Sequence, residues 1–164
     1  MKAVIFDMGG VISETQELHA KIEEELFKKY NIIISSREIT DKYAGMSDKE
    51  FFTKIFDDFG KKVDVKAVIK EKWNNLISHA KGNISAVEGA VSLIHQLKNA
   101  GFKLAVASAS KKEFIELVLL ELNITCYFDA ITSADEVKFG KPNPEIFLLA
   151  AEKLNVNPDC CIVI

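Results

Sequence analysis

No apolar run in this sequence approaches the ~20 residues that a membrane span requires, and there is no internal repeat or low-complexity tract. Cysteine is scarce. Cys126, Cys160 and Cys161 form an odd set without CxxC or Cys/His ligand spacing, so neither a disulfide framework nor a structural zinc site is expected. The adjacent pair Cys160-Cys161 lies in an apolar run and reads as buried filler. Charge of one sign is hardly in excess: the net charge of -3 leaves no electrostatic footprint for nucleic acid or an anionic membrane. GxGxxG is missing, which excludes a dinucleotide fingerprint at the early glycines. The opening Met1–Asp7 turns acidic too soon for a signal peptide, so a cytoplasmic location is expected.

What is present is globular. With 164 residues, 48% hydrophobic and 27% charged, the chain can build one ordinary core, or a small core plus a helical subdomain. Ala3–Phe6 is an unbroken apolar run typical of a strand covered on both faces. From Thr15 to Tyr30 apolar residues recur at Leu18, Ile22, Leu26 and Tyr30, which predicts a helix with one buried stripe. Ser35 with Glu38 and Ser47 with Glu50 are capping-box pairs that open two further helices, with stops expected near Gly45 and Gly60. A fourth helix is expected over Val65–His79.

After Lys81-Gly82-Asn83 strands alternate with helices. Strands are expected at Lys103–Ser108, Ala130–Ser133 and Cys160–Ile164, and helices at Glu88–Asn99, Lys111–Leu122 and Glu145–Leu154, the last opened by Pro144. This alternation predicts an α/β fold with a Rossmann-like, doubly wound parallel sheet. The Cys160 strand should lie on one side of the Ala3 strand and the Leu104 strand on the other. The expected domains are an α/β core from residues 1–14 and 82–164, and an inserted, all-helical cap over 15–81.

Ligand sites in such sheets sit at the carboxyl ends of the strands. The polar residues just beyond the apolar runs are Asp7, Ser108 and, in the loop after the third strand, Lys138 and Lys141. A carboxylate, a hydroxyl and a lysine on one rim suit phosphate: the carboxylate can attack phosphorus, and the others can hold the non-bridging oxygens. Turn glycines such as Gly9 and Gly10 let backbone approach an anion. An equally ordinary reading of Asp7 is a helix cap.

Three segments carry a family resemblance. Phe6-Asp7-Met8-Gly9-Gly10-Val11-Ile12 resembles a strand followed by DxDG[TV]. Leu104–Ser110 resembles a strand ending in Ser or Thr, and Lys141-Pro142-Asn143-Pro144-Glu145 is similar to KPxP[DE]. Their order and spacing resemble the haloacid dehalogenase superfamily across nearly the whole chain, in the helical-cap branch of β-phosphoglucomutases and phosphoglycolate phosphatases. The resemblance implies Asp7 as nucleophile and magnesium ligand, and the Gly9 carbonyl as a second ligand for Mg2+. It implies Ser108 and the Ala109 amide on the transferring phosphoryl group, and Lys141 neutralising Asp7. Gly10, His19, Ser110 and Lys111 would touch substrate. Plainer readings of His19, as a solvated helix residue, and of Ser110, as a helix N-cap, stand beside these.

The chain departs from the family pattern in places. The second acid of DxDG, a general acid/base, is Gly9 here. The arginine that in the mutases follows Gly-x-Ser is replaced: Gly45-Met46-Ser47 leads into Asp48, which would repel a second phosphate, with Lys49 in partial compensation. The family's acidic pair is expected directly after Ile164, where the sequence stops. Without it, weak magnesium binding and self-association through the exposed Cys160–Ile164 edge are expected. The implied activity is a magnesium-dependent phosphatase acting on a small phosphorylated metabolite, of sugar phosphate type, through an aspartyl-phosphate. The alternatives are a β-phosphoglucomutase-like isomerase or an inactive, truncated binding remnant.

Overall fold

The computed structural model describes residues 1–43 and 46–164. The chain folds as two compact units, Met1–Thr15 with Lys81–Ile164, and Gln16–Ala80.

In the first unit four strands, β1 (Ala3–Phe6), β2 (Lys103–Ala107), β3 (Ala130–Thr132) and β4 (Cys161–Val163), form a parallel sheet in the order β3-β2-β1-β4. The β4 and β2 strands flank β1 as predicted, with Val4 opposite both Leu104 and Ile162. Residues of β1 are buried throughout, which is why its sequence shows no polar alternation. The last helix, Glu145–Lys153, covers one sheet face. Its Ile146, Ala150 and Ala151 pack with Ala3, Ile5, Ala105 and Ala107, and the small alanines let helix and sheet approach closely. The sheet strands end one residue short of the predicted bounds at several places, and β4 lies at the sheet edge with Ile162 and Val163 about half exposed.

The second unit holds α1 (Gln16–Lys28), α2 (Ser36–Tyr43), α3 (Asp48–Asp58) and α4 (Val65–Ala80), with no strand among its described residues. Both capping boxes form. The Glu38 carboxylate accepts the Ser35 N–H at 3.1 Å and the Glu50 carboxylate the Ser47 N–H at 3.1 Å, while each serine Oγ accepts the return N–H. Gly60 ends α3 as expected. Its φ of +63° is in the left-handed region, and the Lys61 N–H reaches back to the Phe56 carbonyl at 2.8 Å. Gly45, expected to stop α2, lies outside the described residues. The core is aromatic: the Phe27 ring lies 5.6–5.8 Å from the rings of Phe51, Phe52 and Phe56, mostly edge to face, as ring quadrupoles favour. The remaining helices are α5 (Ala90–Asn99), α6 (Lys112–Glu121) and α7, the Glu145–Lys153 helix.

The helical unit also buries charge. Lys72, on the inner stripe of α4, has a side chain only 5% exposed, and its ammonium lies 2.7 Å from Glu23 Oε1 and 2.5 Å from Asp48 Oδ1. Burial pulls its pKa down, but the two carboxylates outweigh this and leave it raised. Trp73 Nε1 donates to Asp48 Oδ2 at 2.7 Å. Asp48 is therefore not an acid held out toward a second phosphate, as its place after Ser47 suggested. Its two oxygens bind a lysine and an indole of its own unit.

Removing one member of a buried ion cluster leaves uncompensated charge, at a typical cost of about 3–5 kcal/mol. Lys72→Met should lower the unfolding free energy of the helical unit by that amount, because Glu23 and Asp48 remain. The triple replacement Glu23→Gln/Lys72→Met/Asp48→Asn should recover most of it. Urea unfolding followed by the fluorescence of Trp73, the one tryptophan in the chain, measures both.

Candidate active site

The site residues in the α/β unit stand at the carboxyl ends of β1 and β2. Asp7 continues β1: its N–H donates to the Ile164 carbonyl at 2.8 Å, which fixes its backbone. No helix follows it, so the carboxylate is not a helix cap. The chain turns instead. The Ile12 and Ser13 N–H groups both donate to the Met8 carbonyl, at 2.8 and 3.0 Å, and the Gly10 N–H donates to the Ser13 carbonyl at 2.9 Å. Gly10 makes the turn with φ +78°, a conformation costly for a residue with a Cβ. Asp7 Oδ1 accepts the Met8 N–H at 2.7 Å.

Asp7 Oδ2 meets the Lys141 ammonium at 2.7 Å. The same ammonium donates to the Ala107 carbonyl at 3.1 Å and lies 4.9 Å from the centre of the Phe147 ring. One lysine thus ties the ends of two adjacent strands to the loop before α7. Lys138, the other lysine of that loop, is exposed, and its ammonium lies over the Phe139 ring at 5.2 Å.

Because Phe6 pairs with Val106, Ser108 stands just past the level of Asp7 on the neighbouring strand. Ser108 is 3% exposed, and its N–H donates to the Thr132 carbonyl at 3.0 Å. Its Oγ accepts the Ser110 N–H at 3.2 Å and keeps its own hydrogen for another acceptor. Ser110 is buried and is not the N-cap of α6. That position is Lys111, whose carbonyl accepts from Phe114 and Ile115. Ala109 is exposed between them.

His19 belongs to the helical unit. Its ring lies edge-on to Trp73, with centroids 5.7 Å apart. Burial, then the nearby Lys72 ammonium, push its pKa down to about 3, so the imidazole is neutral at physiological pH.

The oxygen donors that suit a hard cation are the Asp7 carboxylate and the Gly9 carbonyl. Among the described residues no group of three His, Cys, Asp or Glu side chains converges. In kind these oxygens fit Mg2+, which is commonly held by one or two carboxylates with phosphate and water oxygens completing its octahedron. No helix of the described residues is long and apolar enough to cross a membrane.

Sequence reasoning did not find the Ala107 carbonyl, the Phe147 ring or the buried Glu23–Lys72–Asp48 cluster. Backbone acceptors leave no mark in a sequence. Lys72 does leave one, since with Val68, Trp73 and Leu76 it falls on a single helical stripe.

Known proteins are similar to this chain over nearly its whole length. A β-phosphoglucomutase of Bacillus subtilis (strain 168) is 31% identical over 172 residues, covering 100% of this chain and 74% of that protein. A phosphorylated carbohydrates phosphatase of Thermotoga maritima is 30% identical over 171 residues, covering 99% and 75%. The crystal structure of a β-phosphoglucomutase from Clostridium difficile superposes with a TM-score of 0.88 at 33% identity, over 99% of this chain and 75% of that one. The family model for haloacid dehalogenase-like hydrolases matches residues 4–164, and the chain belongs to that family.

Proposed function

We propose that the chain is a magnesium-dependent phosphatase that hydrolyses a small phosphorylated metabolite, of the sugar phosphate type, through a phosphorylated Asp7. The observation that carries this reading is the Lys141 ammonium held 2.7 Å from Asp7 Oδ2 while anchored on the Ala107 carbonyl. A fixed cation beside a half-exposed carboxylate is what an in-line attack on a dianionic phosphate needs: the positive charge offsets repulsion between nucleophile and substrate. The names of the relatives, a carbohydrate phosphatase and phosphoglucomutases, support the substrate class.

In the proposed reaction an Asp7 oxygen forms a bond to phosphorus as the bond from phosphorus to the leaving alkoxide breaks. Ser108 Oγ–H and the Ala109 N–H donate to the non-bridging oxygens, and Lys141 neutralises charge on both Asp7 and the phosphoryl group. The alkoxide takes a proton from water, because Gly9 offers no side chain to supply one. A second water then attacks phosphorus, releasing inorganic phosphate and restoring the Asp7 carboxylate. Magnesium held by Asp7 and the Gly9 carbonyl would supply further neutralisation of the phosphoryl oxygens.

Two features speak against the mutase alternative. A mutase must move protons to and from sugar hydroxyls in turn, and Gly9 has no group to do so. It must also hold a second phosphate, and Asp48, where the mutases carry arginine, is bound to Lys72 and Trp73.

Hydrolysis of p-nitrophenyl phosphate, with magnesium and with EDTA, tests the reading. Asp7→Asn should abolish turnover, Lys141→Ala should be severe, and Ser108→Ala should cost less because a backbone donor remains. Wild-type activity in Asp7→Asn would sink the mechanism, and equal rates with EDTA would sink the metal dependence.

Gly9→Asp restores a carboxylate two residues from the nucleophile. If proton transfer to the alkoxide limits the rate, hydrolysis of alkyl and sugar phosphates should rise by up to ~10²-fold, while p-nitrophenyl phosphate, with its good leaving group, gains little. An equal gain on both would point to metal binding or packing instead of proton transfer.

A further inference from the structure

Lys141 sits in an irregular loop between Val137 and Pro144, which contains neither strand nor α-helix. A lysine side chain has four rotatable bonds, so a mobile loop would spread its ammonium over several ångströms. The loop is instead closed on the first turn of α7. The Glu145 carboxylate accepts two consecutive backbone donors, the Lys138 N–H on Oε1 at 3.0 Å and the Phe139 N–H on Oε2 at 2.9 Å. On the far side of Lys141, the Asn143 N–H donates to the Gly140 carbonyl at 3.0 Å, and Asn143 Oδ1 accepts the Glu145 N–H at 3.0 Å.

The bonds from Lys138 and Phe139 end on an ionised acceptor, which makes them stronger than neutral ones. Those same N–H groups hold the Glu145 carboxyl below the usual carboxylate range, so it stays charged at neutral pH. A carboxylate in the first turn of α7 is also favoured by the helix dipole. Two residues further on, Phe147 offers its ring to the Lys141 ammonium. The start of α7 therefore supplies both the clamp on the loop and the platform under the lysine.

We infer that Glu145 is the positioning residue of the site, bridging Lys138 and Phe139 so that the Lys141 ammonium stays between Asp7 and the Ala107 carbonyl. Its carboxylate oxygens are occupied by the loop's own amides, so it acts through Lys141 and not on the phosphoryl group. The kinetic part of this assignment rests on the phosphatase reading above; the structural part does not.

The test combines kinetics with a measurement independent of turnover. Displacing a catalytic group by about 1 Å costs on the order of 10²-fold, so Glu145→Ala should lower kcat on p-nitrophenyl phosphate by ~10²-fold with little change in KM. Glu145→Gln, which keeps one carbonyl acceptor, should recover part of the loss. The double variant Glu145→Ala/Lys141→Ala should be no slower than Lys141→Ala alone, whereas multiplicative losses would show that Glu145 acts elsewhere and overturn the assignment.

In parallel, amide hydrogen exchange at Lys138 and Phe139, and the rate at which an amine-acylating reagent modifies Lys141, should both rise in Glu145→Ala. Unchanged exchange and unchanged labelling would overturn the clamp whatever the enzyme's activity. If the unsubstituted chain hydrolysed no phosphate ester, the phosphatase reading would fail while exchange and labelling still decided the clamp. Should Glu145→Ala not fold, the same measurements on Glu145→Gln, with a smaller expected rise, decide it.

Discussion

The Lys141 ammonium is the point on which this α/β unit's candidate chemistry converges. Three parts of the chain meet there: the end of β1 through Asp7, the end of β2 through the Ala107 carbonyl, and α7 through Phe147. Its worth lies in geometry more than in stability. With side chains 20% and 36% exposed, the Lys141–Asp7 pair is partly screened by water, and such pairs contribute about 1 kcal/mol or less to folding. That amount is small against the burial of β1, β2 and the alanine face of α7. Packing builds the sheet, and the sheet then presents a carboxylate and a cation at a fixed distance. The electrostatics are a product of the fold and contribute little to holding it together.

The framework was legible because it rests on simple signals. The unbroken apolar runs at Ala3–Phe6 and Leu104–Ala107, alternating with helical patterns, led to a parallel sheet with β1 in its interior, and the strand order agrees. The capping boxes at Ser35 and Ser47 were legible for the same reason, since each depends on residues three apart. The positions of Asp7, Ser108 and Lys141 beyond the strands were also readable, because their polarity interrupts an apolar pattern. The contacts that orient them were not. The Ala107 carbonyl is backbone, and Phe147 reads as ordinary helix core. Glu145 belongs to a recognisable motif, but nothing in the sequence says that its carboxylate turns back to receive the Lys138 and Phe139 amides.

Asp48 shows a different kind of misreading. From its place after Ser47 it reads as an acid that would repel a second phosphate. The structure turns it toward Lys72 and Trp73, where it shares a buried cation with Glu23. The cluster does leave a trace in the sequence: Lys72 falls between Val68 and Leu76, and Glu23 lies beside Ile22 and Leu26, each on a buried face. Buried ions of this kind add little net stability over well-packed apolar residues.

The backbone around Ser13 has a consequence for how such a protein can change over evolutionary time. Ser13 forms bridges to Gly9 and to Ala86, the Glu14 N–H donates to the Ser85 carbonyl at 2.9 Å, and the Val87 N–H donates to the Ile12 carbonyl at 3.0 Å. The segment leaving the α/β unit and the segment returning to it are thus laced together, and every residue in the lacing belongs to that unit. Whatever lies between them begins and ends at nearly the same point, so its length adds only slowly to the entropy of closing the chain. The sheet can therefore accept an insertion of a different size, or shed this one for a short turn, without moving the strands. The gene for such a fold can vary the segment between Thr15 and Lys81 while the sheet whose strand ends meet Asp7 and Lys141 keeps its register.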